Sequence, residues 1–102
     1  VRFRPQPGDG FKVPHMGWNE VRPVEGIECP LFDDIEPGTY FYFVHSYYVV
    51  PAESGVTAAT TPYCVEFTSV VWRDNLYAVQ FHPEKSQRAG LKVLENFVNL
   101  ID

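Results

Sequence analysis

A strand-rich α/β domain closed by one C-terminal helix is what this sequence predicts, and three observations predict it. The run "TYFYFVHSYYVVP" is almost wholly aromatic or β-branched. The stretch "VEFTSVVWRDNLYAVQFHP" reads as two extended runs around a tight turn. From Ser86 onward the apolar residues change from alternation to a spacing of three and four.

The bulk composition bounds the possibilities. A chain of 102 residues is one domain, and at that size folding buries only about 60–70% of the unfolded surface. With 45% hydrophobic, 16% aromatic and 21% charged residues it is a globular composition, because a disordered chain lacks that apolar content. The net charge of −5, with eight Lys and Arg scattered from Arg2 to Lys92, offers no basic cluster for phosphates and argues against nucleic acid. Cys29 and Cys64 stand alone, without metal spacing or disulfide density, so a reducing, cytoplasmic setting is expected. No apolar run approaches the ~20 residues of a membrane helix, and no membrane role is expected.

Taken in order, "VRF" and "KVPHMGWNEV" read as extended segments separated by "RPQPGDG", a turn built from proline and glycine. "CPLFDDIEPG" has room for one helical turn before Pro37 and Gly38. The continuous apolar character of "TYFYFVHSYYVVP" predicts a strand central in a sheet and covered on both faces. "VTAATTPYC" is a weaker extended segment, and Asp74 and Asn75 form the hairpin turn of the next two strands. Ser86 is predicted to cap the final helix with its hydroxyl. Leu94, Phe97, Val98 and Ile101 would form its buried stripe, opposite Arg88, Lys92, Glu95 and Asn99 in water. No linker or repeat divides the chain, and since it opens directly on an extended segment without Met, a truncated or processed chain is expected.

The chemistry concentrates in "FHPEKS". Pro83 excludes the helical region for His82, and in an extended segment residues two apart project to the same side, so His82 and Glu84 can act as a pair. A carboxylate bonded to one ring nitrogen fixes the tautomer and stabilises the imidazolium. The other nitrogen is then left to take a proton from a nucleophile. His82 would be the base, Glu84 its orienter, and the third member a thiol or hydroxyl. His15, His45, His82 and Glu84 lack the spacing of a metal site, so neither a metal nor another cofactor is expected.

The string "VQFHPEKS" resembles the His-Glu segment of class I (triad-type) glutamine amidotransferases. There a cysteine on a sharp strand-to-helix turn attacks the glutamine side-chain amide, and ammonia passes to a synthase partner. "VPHMGWN" followed by "FVHSYYV" is similar to one branch of that family, the glutaminase subunits of imidazole glycerol phosphate synthases in histidine biosynthesis. The resemblance implies the C-terminal half of a flavodoxin-like three-layer domain spanning residues 1–102, with L-glutamine as substrate and a cyclase (synthase) subunit as partner. It further implies that Ser46 and Tyr47 hold the amino-acid end of glutamine. Pro14, His15, Met16, Gly17, Trp18 and Asn19 would face the synthase near the ammonia passage, and Lys85 would pair with an acidic residue of that partner.

The family's G-x-C-x-G turn has no counterpart here: Cys29 lies in "GIECPLF" and Cys64 in "TPYCVEF". The nucleophile and the oxyanion loop are therefore expected in a missing N-terminal half, and the 102-residue chain alone is expected to be inactive. Two alternatives stay open: another glutaminase subunit, as in anthranilate or guanylate synthesis, or a non-catalytic α/β module that kept the scaffold without the nucleophile.

Overall fold

The computed structural model describes residues 1–100 and, at Ser54, the backbone alone. Its strands are β1 (His15–Glu20), β2 (Arg22–Pro23), β3 (Tyr40–His45), β4 (Thr57–Tyr63), β5 (Val65–Arg73) and β6 (Leu76–Val79). The helix α1 (Gln87–Asn99) closes the order. The expected strand-rich α/β architecture with one C-terminal helix is present, arranged in two sheets. β1 pairs with β3, and β2, β4, β5 and β6 form the second sheet in that order. Every pairing among the described strands is antiparallel.

Local chemistry accounts for most of the turns. Asp9 holds the first one, its carboxylate accepting the N–H groups of Gln6 and Phe11. Arg73 faces Leu76 across a two-residue turn, with Asp74 in the left-handed region that Asp tolerates better than most residues. Pro30–Phe32 supplies the anticipated single helical turn as a 3-10 segment. "VRF" forms only a bridge, between Arg2 and Tyr47, rather than a strand.

Two expectations about packing are corrected. β3 is not flanked by strands on both sides, since β1 alone pairs with it as a strand. Nor is it covered on both faces. Phe41 and Phe43 are fully buried, whereas Tyr40 is 56% exposed and Tyr42 and Val44 are half-buried. The core gathers Phe41 and Phe43 with Phe3, Leu31, Phe67, Phe81 and their neighbours from both sheets. Burial on one side of each element is what joins the sheets, at roughly 25 cal/mol per Å² of apolar area removed from water.

The second correction concerns α1. Its buried positions are Gly90, Val93 and Asn96, while Leu91, Leu94 and Val98 are 66%, 41% and 62% exposed. Ile101, the last member of the predicted stripe, lies outside the described residues. The helix docks through a hydrogen-bonding side chain instead of its longest apolar ones: Asn96 Nδ2 donates to the carbonyls of Leu31 at 2.8 Å and Asp33 at 2.9 Å. The Leu31 acceptor is buried and the Asp33 one part-buried, and satisfying them outweighs the apolar period because an unpaired buried carbonyl costs ~1–3 kcal/mol.

Candidate active site

Phe81 anchors the segment that follows β6. It is buried against Phe41, with ring centroids 4.3 Å apart. The next residue, His82, is extended as Pro83 requires, with φ −104° and ψ 98°. The chain then tightens into a 3-10 turn over Pro83–Lys85. His82 and Glu84 therefore meet through a turn and not through strand alternation. His82 Nδ1 lies 3.0 Å from Glu84 Oε2, which leaves Nε2 as the nitrogen able to receive a nucleophile's proton.

The backbone of this turn is fixed on β3. His82 N–H donates to the Tyr42 carbonyl at 2.9 Å. Ser86, 1% exposed, accepts the Tyr42 N–H at 2.9 Å and donates to the His82 carbonyl at 2.6 Å. Ser86 does stand where α1 begins, but its hydroxyl caps no helical N–H. Its cap role is thus corrected: the hydroxyl bonds the turn to the neighbouring strand. Gly90 completes the seat, because a Cβ there would overlap the Pro83 carbonyl and the Ser86 side chain.

Electrostatics agree with the pairing. The Glu84 carboxyl is held below the ordinary glutamate value, first by the hydrogen bond from His82 and further by the charges of His82 and Lys85. Lys85 itself is exposed beside the pair.

Ser46 and Tyr47 directly follow β3, the strand that holds the His82 turn. The Ser46 carbonyl accepts the Phe3 N–H at 3.0 Å, and the Tyr47 carbonyl faces His45 Nδ1 at 2.8 Å. Tyr47 keeps its ring 63% exposed. The proton affinity of His45 is lowered mainly by burial and partly by the charge of His82, which ties the two regions electrostatically.

β1 divides the "PHMGWN" segment between two faces. Pro14, Met16 and Trp18 are exposed and Gly17 is half-buried. His15 is 3% exposed, stacked on Tyr63 with centroids 3.9 Å apart and on Phe43 at 5.0 Å. Asn19 turns the same way and bonds the Pro62 carbonyl at 2.8 Å. Of the six residues assigned to a partner surface, His15 and Asn19 direct their side chains inward, because alternation along a strand sends neighbours to opposite faces. Trp18 sits opposite Tyr42 in register and meets it edge to face at 5.9 Å. The exposed part of β1 and the His82 turn therefore share one residue of β3.

The two cysteines sit in different settings. Cys29 is buried, and burial pushes its thiol up, away from the reactive thiolate. It lines a groove of about 550 Å³ with Pro23, Ile27, Phe32 and Ile35, and neither His82, Glu84, Ser46 nor Tyr47 lines it. Cys64 forms the single-residue tip between β4 and β5 at φ 64°. Among the described residues no group of three or more His, Cys, Asp or Glu could hold a metal, and no helix is long and apolar enough to cross a membrane.

Sequence reasoning missed Ser86 as a strand contact, Tyr42 as the receiving residue and Gly90 as the seat. Only Ser86 carried a signal, as the end of "HPEKS". The other two depend on which elements pack together.

Known proteins are similar in sequence to this chain over nearly its whole length. The family model described as "Glutamine amidotransferase class-I" matches residues 10–100. An imidazole glycerol phosphate synthase subunit HisH of Thermococcus kodakarensis is 58% identical over 105 residues, covering 98% of this chain and 50% of the relative. The HisH subunit of Methanocaldococcus jannaschii is 54% identical over 93 residues, covering 91% and 46%. That of Synechococcus elongatus is 48% identical over 101 residues, covering 98% and 45%. The chain spans about half the length of the curated relatives it matches. On the family match and these identities, the chain belongs to the class I glutamine amidotransferases.

Proposed function

We propose that this chain is the C-terminal half of the glutaminase subunit of an imidazole glycerol phosphate synthase, which releases ammonia from glutamine for a cyclase subunit. The observation that carries the reading is the His82–Glu84 pair, Nδ1 to Oε2 at 3.0 Å, on a turn bonded to β3 just ahead of Ser46 and Tyr47. The similarity to HisH subunits supports the assignment within the family.

In this reading a cysteine supplied by the other half of the domain attacks the glutamine Cδ amide carbon. His82 Nε2 takes the thiol proton and then gives it to the departing ammonia, leaving a thioester. Water, deprotonated by the same nitrogen, attacks the thioester carbon and releases glutamate and the thiol. Glu84 holds the ring and stabilises its imidazolium. Ser46 and Tyr47 hold the amino-acid end of the substrate. Met16, Gly17 and Trp18, with Pro14 before them, face the cyclase, and Lys85 pairs with an acidic group on it.

The test uses the complete polypeptide containing these residues, mixed with its cyclase partner. Glutamate release from glutamine should be abolished by His82→Ala, while the 102-residue chain alone should release none. Turnover by the isolated chain, or full activity of His82→Ala in the complex, contradicts the proposal.

A further inference from the structure

The two inward side chains of β1 form a polar string with His45. His15 Nδ1 lies 2.8 Å from His45 Nε2, and Asn19 Nδ2 lies 3.3 Å from His15 Nε2. His45 Nδ1 lies 2.8 Å from the Tyr47 carbonyl. The ends of the string determine its direction. A carbonyl only accepts, so His45 Nδ1 carries a hydrogen and its Nε2 is a bare acceptor. His15 must then donate from Nδ1, which leaves its own Nε2 bare toward Asn19. The Asn19 amide is oriented to donate there, because its Oδ1 already accepts the Glu20 N–H at 2.8 Å and its second hydrogen goes to the Pro62 carbonyl.

We propose that Asn19, His15 and His45 are positioning residues: a one-directional hydrogen-bond relay that fixes the Tyr47 carbonyl and so the segment that binds glutamine. The proposal rests on the reading of Ser46–Tyr47 as substrate-binding. It adds that the strand carrying Trp18 on its outer face sets the geometry of that segment through its inner face. The rings lie among Phe3, Phe43, Tyr63 and Phe67, with His15 buried and His45 half-buried, and burial favours the neutral form of both imidazoles. Each bond then depends on the tautomer of the next, as in other buried polar networks.

The relay requires both rings to carry hydrogen on Nδ1, the tautomer that free neutral histidine populates less. Nitrogen-15 spectra of the complete polypeptide bound to its cyclase partner, with labelled histidines, report this directly. Nδ1–H on both His15 and His45 is the expected result; Nε2–H on either overturns the relay. Kinetics then separate hydrogen-bond direction from shape. Asn19→Asp is nearly isosteric but removes the donor and presents an acceptor to His15, whereas Asn19→Ala removes the contact altogether. The glutamine KM should rise about tenfold in Asn19→Ala and further in Asn19→Asp, with kcat changed less than KM. An Asn19→Asp enzyme with wild-type KM overturns the role in binding. A wild-type complex that releases no ammonia from glutamine, with both rings still protonated on Nδ1, defeats the glutaminase reading and the link to substrate while the relay itself stands.

Discussion

Ser86 and Tyr42, 44 positions apart, are joined at 2.9 Å by a hydrogen bond from a strand N–H to a buried hydroxyl, and the same hydroxyl donates to the carbonyl of His82. One oxygen thus satisfies a donor of β3 and an acceptor of the turn that bears the His82–Glu84 pair. In Ser86→Ala the Tyr42 N–H loses its acceptor while the His82 carbonyl keeps the Lys85 N–H at 3.0 Å, so the cost is that of one unpaired donor, about 1–3 kcal/mol when unrelieved. The unfolding midpoint of the complete polypeptide in urea should fall, with an unchanged dependence on denaturant, and glutaminase activity should fall with it. Equal stability in the variant would show that the Tyr42 N–H finds another partner.

Gly90→Ala should be more damaging than a glycine-to-alanine change in an exposed helix, where alanine gains about 1 kcal/mol. The added methyl would overlap the backbone carbonyl of Pro83, which cannot swing aside as a flexible side chain could. The expected outcome is loss of ammonia release together with a lower melting temperature. A stabilised and active variant would mean that α1 shifts freely on the turn.

Glu84→Gln retains an acceptor for His82 but removes its charge. The rate of glutamine hydrolysis at saturation should drop on the order of 10- to 100-fold, because the imidazolium formed during the reaction loses its counter-ion. Since the folded carboxyl is held below its ordinary value of 4.5, the contribution of this pair to stability is complete above that value. It is lost as the pH falls through the lower folded value. Acid unfolding of wild type and Glu84→Gln, compared side by side, should differ most above pH 4.5 and converge below it.

His15 behaves in the opposite sense from a histidine that gains an anionic partner. Burial first, and then the nearby His45, lower its pKa from 6.5 to about 4. The unfolded chain therefore binds a proton that the folded chain refuses between those values, and stability declines as the pH drops from 6.5 toward 4. The slope from this group is at most about 1.4 kcal/mol per pH unit. His15→Phe keeps a ring between Tyr63 and Phe43 but cannot titrate, so its stability should depend less steeply on pH over this interval. Parallel curves would assign the acid sensitivity to other groups, His45 foremost.

Legibility in the sequence followed the range of the interaction. The Asp74–Asn75 turn, the 3-10 segment after Cys29, the extended backbone at His82 and the onset of α1 near Ser86 are decided by residues within four positions, and all were readable. The face of α1 was not, because Asn96 answers carbonyls of Leu31 and Asp33, more than 60 positions away. The one-sided burial of β3 likewise depends on what lies against it. Within the candidate site, His82 and Glu84 were evident from "HPEKS", whereas the inward turn of His15 and Asn19 depended on the register of β1 against β3.

The attachment of the His82 turn to β3 has a further consequence, for colloidal behaviour. Tyr42 has its N–H and carbonyl occupied by Ser86 and His82, so at that point the edge of a sheet rich in aromatics cannot recruit a strand from another molecule. A lesion that loosens the turn uncovers those groups beside the half-exposed Tyr40 and Trp18. Inactivating changes at Ser86 or Gly90 should therefore also favour self-association, and light scattering of those variants during storage would rise ahead of any loss of secondary structure.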